Sequence, residues 1–96
     1  MKNSFADYAL LCRALSDETR LKILSMLSEE ELCACHILEE FHITQPTLSY
    51  HMKNLMECDL IHGRKDGLWM RYTLNKEKTE DLIQFLTKIT NHEKGV

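Results

Sequence analysis

Apolar residues recur at helical intervals through the first sixty positions. Phe5, Ala9, Cys12 and Leu15 follow at steps of four, three and three, with Tyr8 and Leu11 widening the stripe, which predicts an amphipathic helix over about 4–15. Ser16 then stands as an N-cap, Asp17 and Glu18 occupy a first turn where the helix dipole favours acids, and Leu21, Leu24 and Leu27 mark a second stripe. After the acidic run Glu29–Glu31, residues 32–41 read as a third, short helix. A fourth, over about 44–58, is capped by Thr44 and carries Pro46 in its first turn, where a missing N–H costs nothing. Leu48, Met52, Leu55 and Met56 face inward there; at about 100° per residue, Pro46, Thr47, Tyr50, Lys53 and Asn54 face away.

The period then changes. Residues 61–65 and 68–74 flank Asp66-Gly67, a two-residue hairpin signal, and Leu68, Met70, Tyr72 and Leu74 alternate with Trp69, Arg71 and Thr73. A last helix over about 76–91 carries Leu82, Phe85, Leu86 and Ile89. Only His42 and Ile43 separate the third and fourth helices, the spacing of a helix-turn-helix. The order α-α-α-α-β-β-α is mainly α with a small β-hairpin at about 61–74, a winged helix-turn-helix.

At 96 residues, 44% hydrophobic and 28% charged, the chain is sized for a single domain over 1–96 and is unlike a disordered segment. Its longest apolar run, Tyr8–Cys12, is far too short to span a bilayer, and no basic–apolar leader opens it, so the expected setting is the cytoplasm, with no membrane partner. So small a core gains little stability alone, and the apolar stripes of the two terminal helices offer a homodimer seam.

Charge is uneven. Residues 1–43 carry four Lys/Arg against eight Asp/Glu, whereas residues 44–75 carry Lys53, Arg64, Lys65 and Arg71 against Glu57, Asp59 and Asp66. The middle third is thus relieved of upstream acidity, which permits a phosphate-facing surface. A helix-turn-helix lays the N-terminal part of its second helix against base edges of double-stranded DNA. Gln45, Thr47, Ser49 and Tyr50 are the hydrogen-bonding side chains near that end. Lys53, with Arg64, Lys65 and Arg71 of the wing, is placed for phosphate. His51, at the edge of the inward stripe, reads as a packed, hydrogen-bonded histidine, and Trp69 as a wing-packing residue.

Four cysteines complete the inventory: Cys12, Cys33, Cys35 and Cys58. In a reducing compartment a close pair of thiols is a metal-ligand or redox signal, and thiolates favour soft ions. Cys33 and Cys35 open the expected third helix. Residues two apart on an intact helix point roughly 200° apart, so gripping one ion requires that turn to unwind. Cys12 reads as core, Cys58 as structural, and Cys12 or His36 as an optional third ligand.

Taken together, Ala14–Arg20 (ALSDETR), Glu31–Cys35 (ELCAC), Gln45–Met52 (QPTLSYHM) and Arg64–Gly67 (RKDG) resemble the ArsR/SmtB family over roughly residues 5–90. The resemblance implies a homodimeric winged-helix repressor with no permanent cofactor, released from operator DNA by an inducer. Its Cys-x-Cys is similar to that of the arsenite and antimonite sensors. Leu38 stands where such sensors often have a third cysteine, and His36 where an acid commonly follows the pair. The family's acid–histidine site on the last helix looks absent, Ile83 replacing the early histidine. The expected inducer is therefore a trivalent arsenical or antimonite, with any remaining arsenic valence filled by Cys12 of either subunit, a small thiol, or carbon in methylarsenite. Cadmium, lead or zinc, and thiol oxidation or persulfide, are the alternatives in the same fold. An enzyme is disfavoured, because neither a phosphate-cradling Gly loop nor a Cys-x-x-Cys occurs.

Overall fold

A computed structural model describes residues 3–95, with side-chain surroundings through Asn91. The elements are α1 (Phe5–Leu15), α2 (Glu18–Leu27), β1 (Leu32–Cys33), α3 (Ala34–Glu39), α4 (Gln45–Glu57), β2 (Ile61–Asp66), β3 (Trp69–Leu74) and α5 (Lys76–Gly95). Caps explain most boundaries. The Ser4 hydroxyl accepts from Asp7 N–H while the Asp7 carboxylate accepts from Ser4 N–H, and the Thr44 hydroxyl accepts from Thr47 N–H. The cap of α2 is Asp17, which accepts from Arg20 N–H at 3.0 Å; Ser16, expected there, instead closes α1.

Helix α4 ends in a Schellman turn. Asp59 takes a left-handed φ of 63°, Leu60 N–H reaches Leu55 O at 3.0 Å, and Asp59 N–H reaches Met56 O at 3.0 Å. That turn delivers Leu60 and Ile61 into the core beside Leu11, Ile23, Ile37, Met52 and Leu55, all essentially inaccessible to solvent.

Three sequence expectations change. The third helix is six residues long, because Leu32 and Cys33 leave it to form β1, and a five-residue turn, 40–44, separates it from α4. The hairpin therefore becomes a three-stranded antiparallel sheet ordered β1-β3-β2. The turn lies one residue later than its Asp-Gly signal suggested. Asp66 pairs with Trp69, and Gly67 and Leu68 form the loop, with only Gly67 at positive φ, as a type II′ turn requires.

Helix α1 is rotated relative to its expected stripe. It buries Leu11 and Ala14, half-buries Tyr8 and Leu15, and leaves Phe5, Ala9 and Cys12 exposed. Similarly, α2 buries Ile23 and Leu27 while Leu21 is exposed. On α5, Leu82 is buried and Phe85 stacks on Tyr8 with centroids 4.0 Å apart, whereas Ile83, Leu86 and Ile89 are exposed. Among the described residues no helix is long and apolar enough to cross a membrane.

Candidate functional site

Helix α4 inserts Leu48, Met52 and Leu55 into the core, and this fixes its outward face. Gln45, Thr47, Ser49, Tyr50 and Lys53 are all exposed on it. The Thr47 hydroxyl is engaged by Thr44, whose hydroxyl donates to it at 3.0 Å. His51 turns inward. Arg20 Nη1 donates to its Nδ1 at 3.1 Å, Arg20 Nε donates to Ala14 O at 2.7 Å, and Arg20 N–H is held by Asp17. Since a guanidinium only donates, Nδ1 of His51 is the acceptor. This network ties α4 to the α1–α2 junction and sets the angle at which its outer face is presented.

The wing carries its cations differently from their sequence reading as a uniform phosphate grip. Arg64 Nε and Nη2 donate to Glu31 Oε2 and Oε1 at 3.0 and 3.3 Å, a bidentate fork, and Arg71 Nε donates to Asp66 Oδ2 at 2.8 Å. Register explains both pairs. Arg64 lies directly opposite Arg71, and like charges so placed repel, so each takes a carboxylate of its own. Among the described residues, Lys65 is the wing cation without an ion pair. Trp69, at the base of the turn, is partly exposed.

The thiol pair differs most from expectation. Cys33 is the last residue of β1, opposite Arg71, with extended φ of −74° and ψ of 144°, and it is the N-cap of α3. Its sulfur accepts from Cys35 N–H at 3.2 Å. Because Cys33 lies outside the helical spiral, the sulfurs of Cys33 and Cys35 meet and are bonded to each other as a disulfide, their Cα atoms 5.2 Å apart. The turn need not unwind to bring them together, which overturns the expectation drawn from an intact helix. Once reduced, two sulfurs so placed form a donor set suited to a soft, thiophilic ion.

The other cysteines stand elsewhere. Cys12 is exposed on α1 rather than in the core, because the buried face passes through Leu11 and Ala14. Cys58 is buried at the C-terminus of α4, its thiol donating to Leu55 O at 3.5 Å, and burial pushes its pKa up. His36 is exposed. Among the described residues no three His, Cys, Asp or Glu side chains converge as a metal site, so neither Cys12 nor His36 joins the pair within one chain.

Glu31, Asp66 and Arg20 were missed as site residues. The sequence held a partial signal for the first, an acid two positions ahead of Cys33, but its partner is thirty-three positions away and depends on the strand register.

Residues 17–62 match the bacterial regulatory protein, arsR family. The chain is 46% identical over 86 residues to the arsenical resistance operon repressor of Staphylococcus aureus, covering 90% of this chain and 83% of that one. It is 42% identical over 92 residues to the arsenical resistance operon repressor of Staphylococcus xylosus, with coverages of 96% and 88%. The fold matches a crystal structure of an ArsR family transcriptional regulator with a TM-score of 0.90 at 20% identity, over 100% of this chain and 99% of that one. A capped outward-facing helix, a three-stranded wing and these relationships lead to one conclusion: the chain belongs to the ArsR family of winged helix-turn-helix transcriptional repressors and is a regulator, not an enzyme.

Proposed function

We propose that this chain acts in the cytoplasm as a homodimer that holds operator DNA and releases it when a trivalent arsenical binds across Cys33 and Cys35. The observation that carries this reading is the meeting of those two sulfurs at the cap of α3, directly ahead of α4. The two staphylococcal relatives named as arsenical resistance operon repressors support the inducer class.

In this reading Gln45, Thr47, Ser49 and Tyr50 meet base edges, while Lys53 and the wing residues Arg64, Lys65 and Arg71 face phosphate. The exposed Phe5, Ala9 and Cys12 of α1 and Ile83, Leu86 and Ile89 of α5 form the dimer seam. Both cysteines react as thiols, after a low-molecular-weight thiol has reduced the disulfide between them and been oxidised in its place. Each gives its proton to a departing hydroxide, so that an As–O bond (Sb–O in antimonite) breaks, an S–As (or S–Sb) bond forms and water leaves. Two such exchanges satisfy methylarsenite, antimonite or arsenite at the protein, with carbon or oxygen on the remaining valence.

Engaging the Cys33 sulfur withdraws the acceptor that caps α3, the element packed immediately before the reading helix. The test is an operator-binding titration with arsenite, antimonite, methylarsenite and cadmium, wild type beside Cys33→Ser and Cys35→Ser. The expected result is release of the wild type by the arsenicals and none of either variant. A serine variant that still dissociates on arsenite addition overturns the reading.

A further inference from the structure

We propose that Glu31 is a positioning residue that couples the Cys33–Cys35 pair to the wing, a proposal that rests on the arsenical-release reading above. Glu31 lies two residues before Cys33, so the sensor and the carboxylate share the short segment that enters and forms β1. From that segment two links run to the wing. One is the backbone ladder, in which Leu32 pairs with Tyr72 and Cys33 with Arg71. The other is the fork from Arg64 to the two oxygens of Glu31.

These links converge on one row of the sheet. Cys33 lies opposite Arg71, and Arg71 lies opposite Arg64 across the hairpin. Arg64 keeps its place beside Arg71 because Glu31 and Asp66 each neutralise one guanidinium. The row therefore balances two cations against two carboxylates, and one of those carboxylates is anchored to the sensor segment rather than to the wing.

With the pair unoccupied, β1 is seated, Glu31 holds Arg64, and the wing is fixed relative to α4. A ligand bridging the sulfurs takes Cys33 away from Cys35 N–H, shifts β1 and loosens the fork, so the wing loses its set position. A largely exposed ion pair contributes little, so Glu31 transmits part of the response and the strand ladder the rest.

The experiment uses the full chain with the Cys33–Cys35 pair reduced, inorganic arsenite, and a duplex selected by the wild-type protein from random sequence. Three quantities are read for wild type, Glu31→Gln and Glu31→Asp. They are the thiols consumed by arsenite, the fold-change in DNA affinity on arsenite addition, and the arsenite-induced change in fluorescence of Trp69, the only tryptophan, measured without DNA. The expected result is unchanged thiol consumption in all three proteins. In Glu31→Gln the affinity change falls about fivefold below that of the wild type, the low end of ordinary allosteric coupling, and the Trp69 response is reduced alongside it. Glu31→Asp, which keeps the charge, restores most of both. A Glu31→Gln protein with the full wild-type affinity change, or with an intact Trp69 response, overturns the proposal. A wild type that consumes thiols yet stays on DNA, or consumes none, removes the arsenical-release reading and this proposal with it.

Discussion

Helices α3 and α4 begin alike and are built for different tasks. At α4 the Thr44 hydroxyl accepts from Thr47 N–H at 3.3 Å; at α3 the Cys33 sulfur accepts from Cys35 N–H at 3.2 Å. Helix α4 then runs thirteen residues over three buried anchors, Leu48, Met52 and Leu55, while α3 runs six residues over Ile37 alone. A helix whose cap and anchors are separate from its outward side chains is a rigid reader. A helix whose cap is a reactive sulfur, a weaker acceptor than oxygen, is conditional on what that sulfur does. The first arrangement presents a surface and the second reports an event.

The sharpest way to break this contrast is to remove one anchor from each helix. Ile37→Ala and Leu48→Ala each truncate a side chain that is almost wholly buried, and each should lower stability by about 2–5 kcal/mol in urea unfolding. Hydrogen exchange should separate them. Ile37→Ala is expected to expose the amides of α3 well below the global unfolding free energy, because no second anchor remains. Leu48→Ala should leave α4 protected through Met52 and Leu55. Equal local protection in the two variants would end the distinction.

A second, smaller effect probes the strand on which β1 leans. A Cβ at Gly63 would lie 2.9 Å from Tyr72 Cε1 and 3.0 Å from both Met56 Sδ and Met70 Cε. Tyr72 is the residue that pairs with Leu32, so crowding it reaches the sensor side most directly, while Met56, in the last turn of α4, can yield through its flexible side chain. Gly63→Ala should therefore cost about 1–3 kcal/mol, measured by thermal unfolding, and should weaken the response to arsenite more than it weakens DNA binding without inducer.

What could be read from the sequence follows the same division. Helix α4 was legible almost to the residue, since Thr44, Pro46 and the Leu48–Met52–Leu55 spacing are local signals that tertiary packing reinforces. Its exposed side chains came with it. The β1–α3 segment was not legible. Two residues of strand have no period to detect, and their pairing to Tyr72 and Arg71 is set by a hairpin about forty positions later. Reading Leu32 and Cys33 as helix led directly to sulfurs pointing apart. The rotations of α1 and α2 were lost for another reason: several apolar faces compete on each, and Phe5 and Leu21 are exposed because packing chose their neighbours.

The cap itself gives the third test. Thr44→Ala removes the hydroxyl at α4 and should cost about 1 kcal/mol in unfolding experiments. Cys33→Ala should cost less, because sulfur is the weaker acceptor it replaces, and Cys33→Ser should be neutral or slightly stabilising, as serine is a preferred N-cap. The informative outcome is the pairing of that stability with a lost arsenite response. A Cys33→Ser protein destabilised as much as Thr44→Ala would show that the sulfur's role at α3 is packing and not capping.

The smallest effect concerns the cysteine that ends α4. Cys58 is buried and donates from its thiol, the reverse of Cys33, and burial is the leading cause that raises its pKa, as it raises that of Tyr72. Both groups are neutral when protonated, so below the ordinary cysteine value of about 8.5 neither alters stability with pH. Above it the unfolded chain releases the Cys58 proton while the folded chain retains it, and stability falls until pH passes the raised folded value. Tyr72 adds a further decline from about pH 10. Urea midpoints measured from pH 7 to 11 should therefore drop, with Cys58→Ala flattening the first part of the fall. Alkylation at pH 8 should modify Cys58 only on unfolding. A Cys58 that alkylates as fast in the folded protein as in the unfolded chain would mean that the reader's C-terminus opens readily, and the contrast between the two helices would fail at its rigid end.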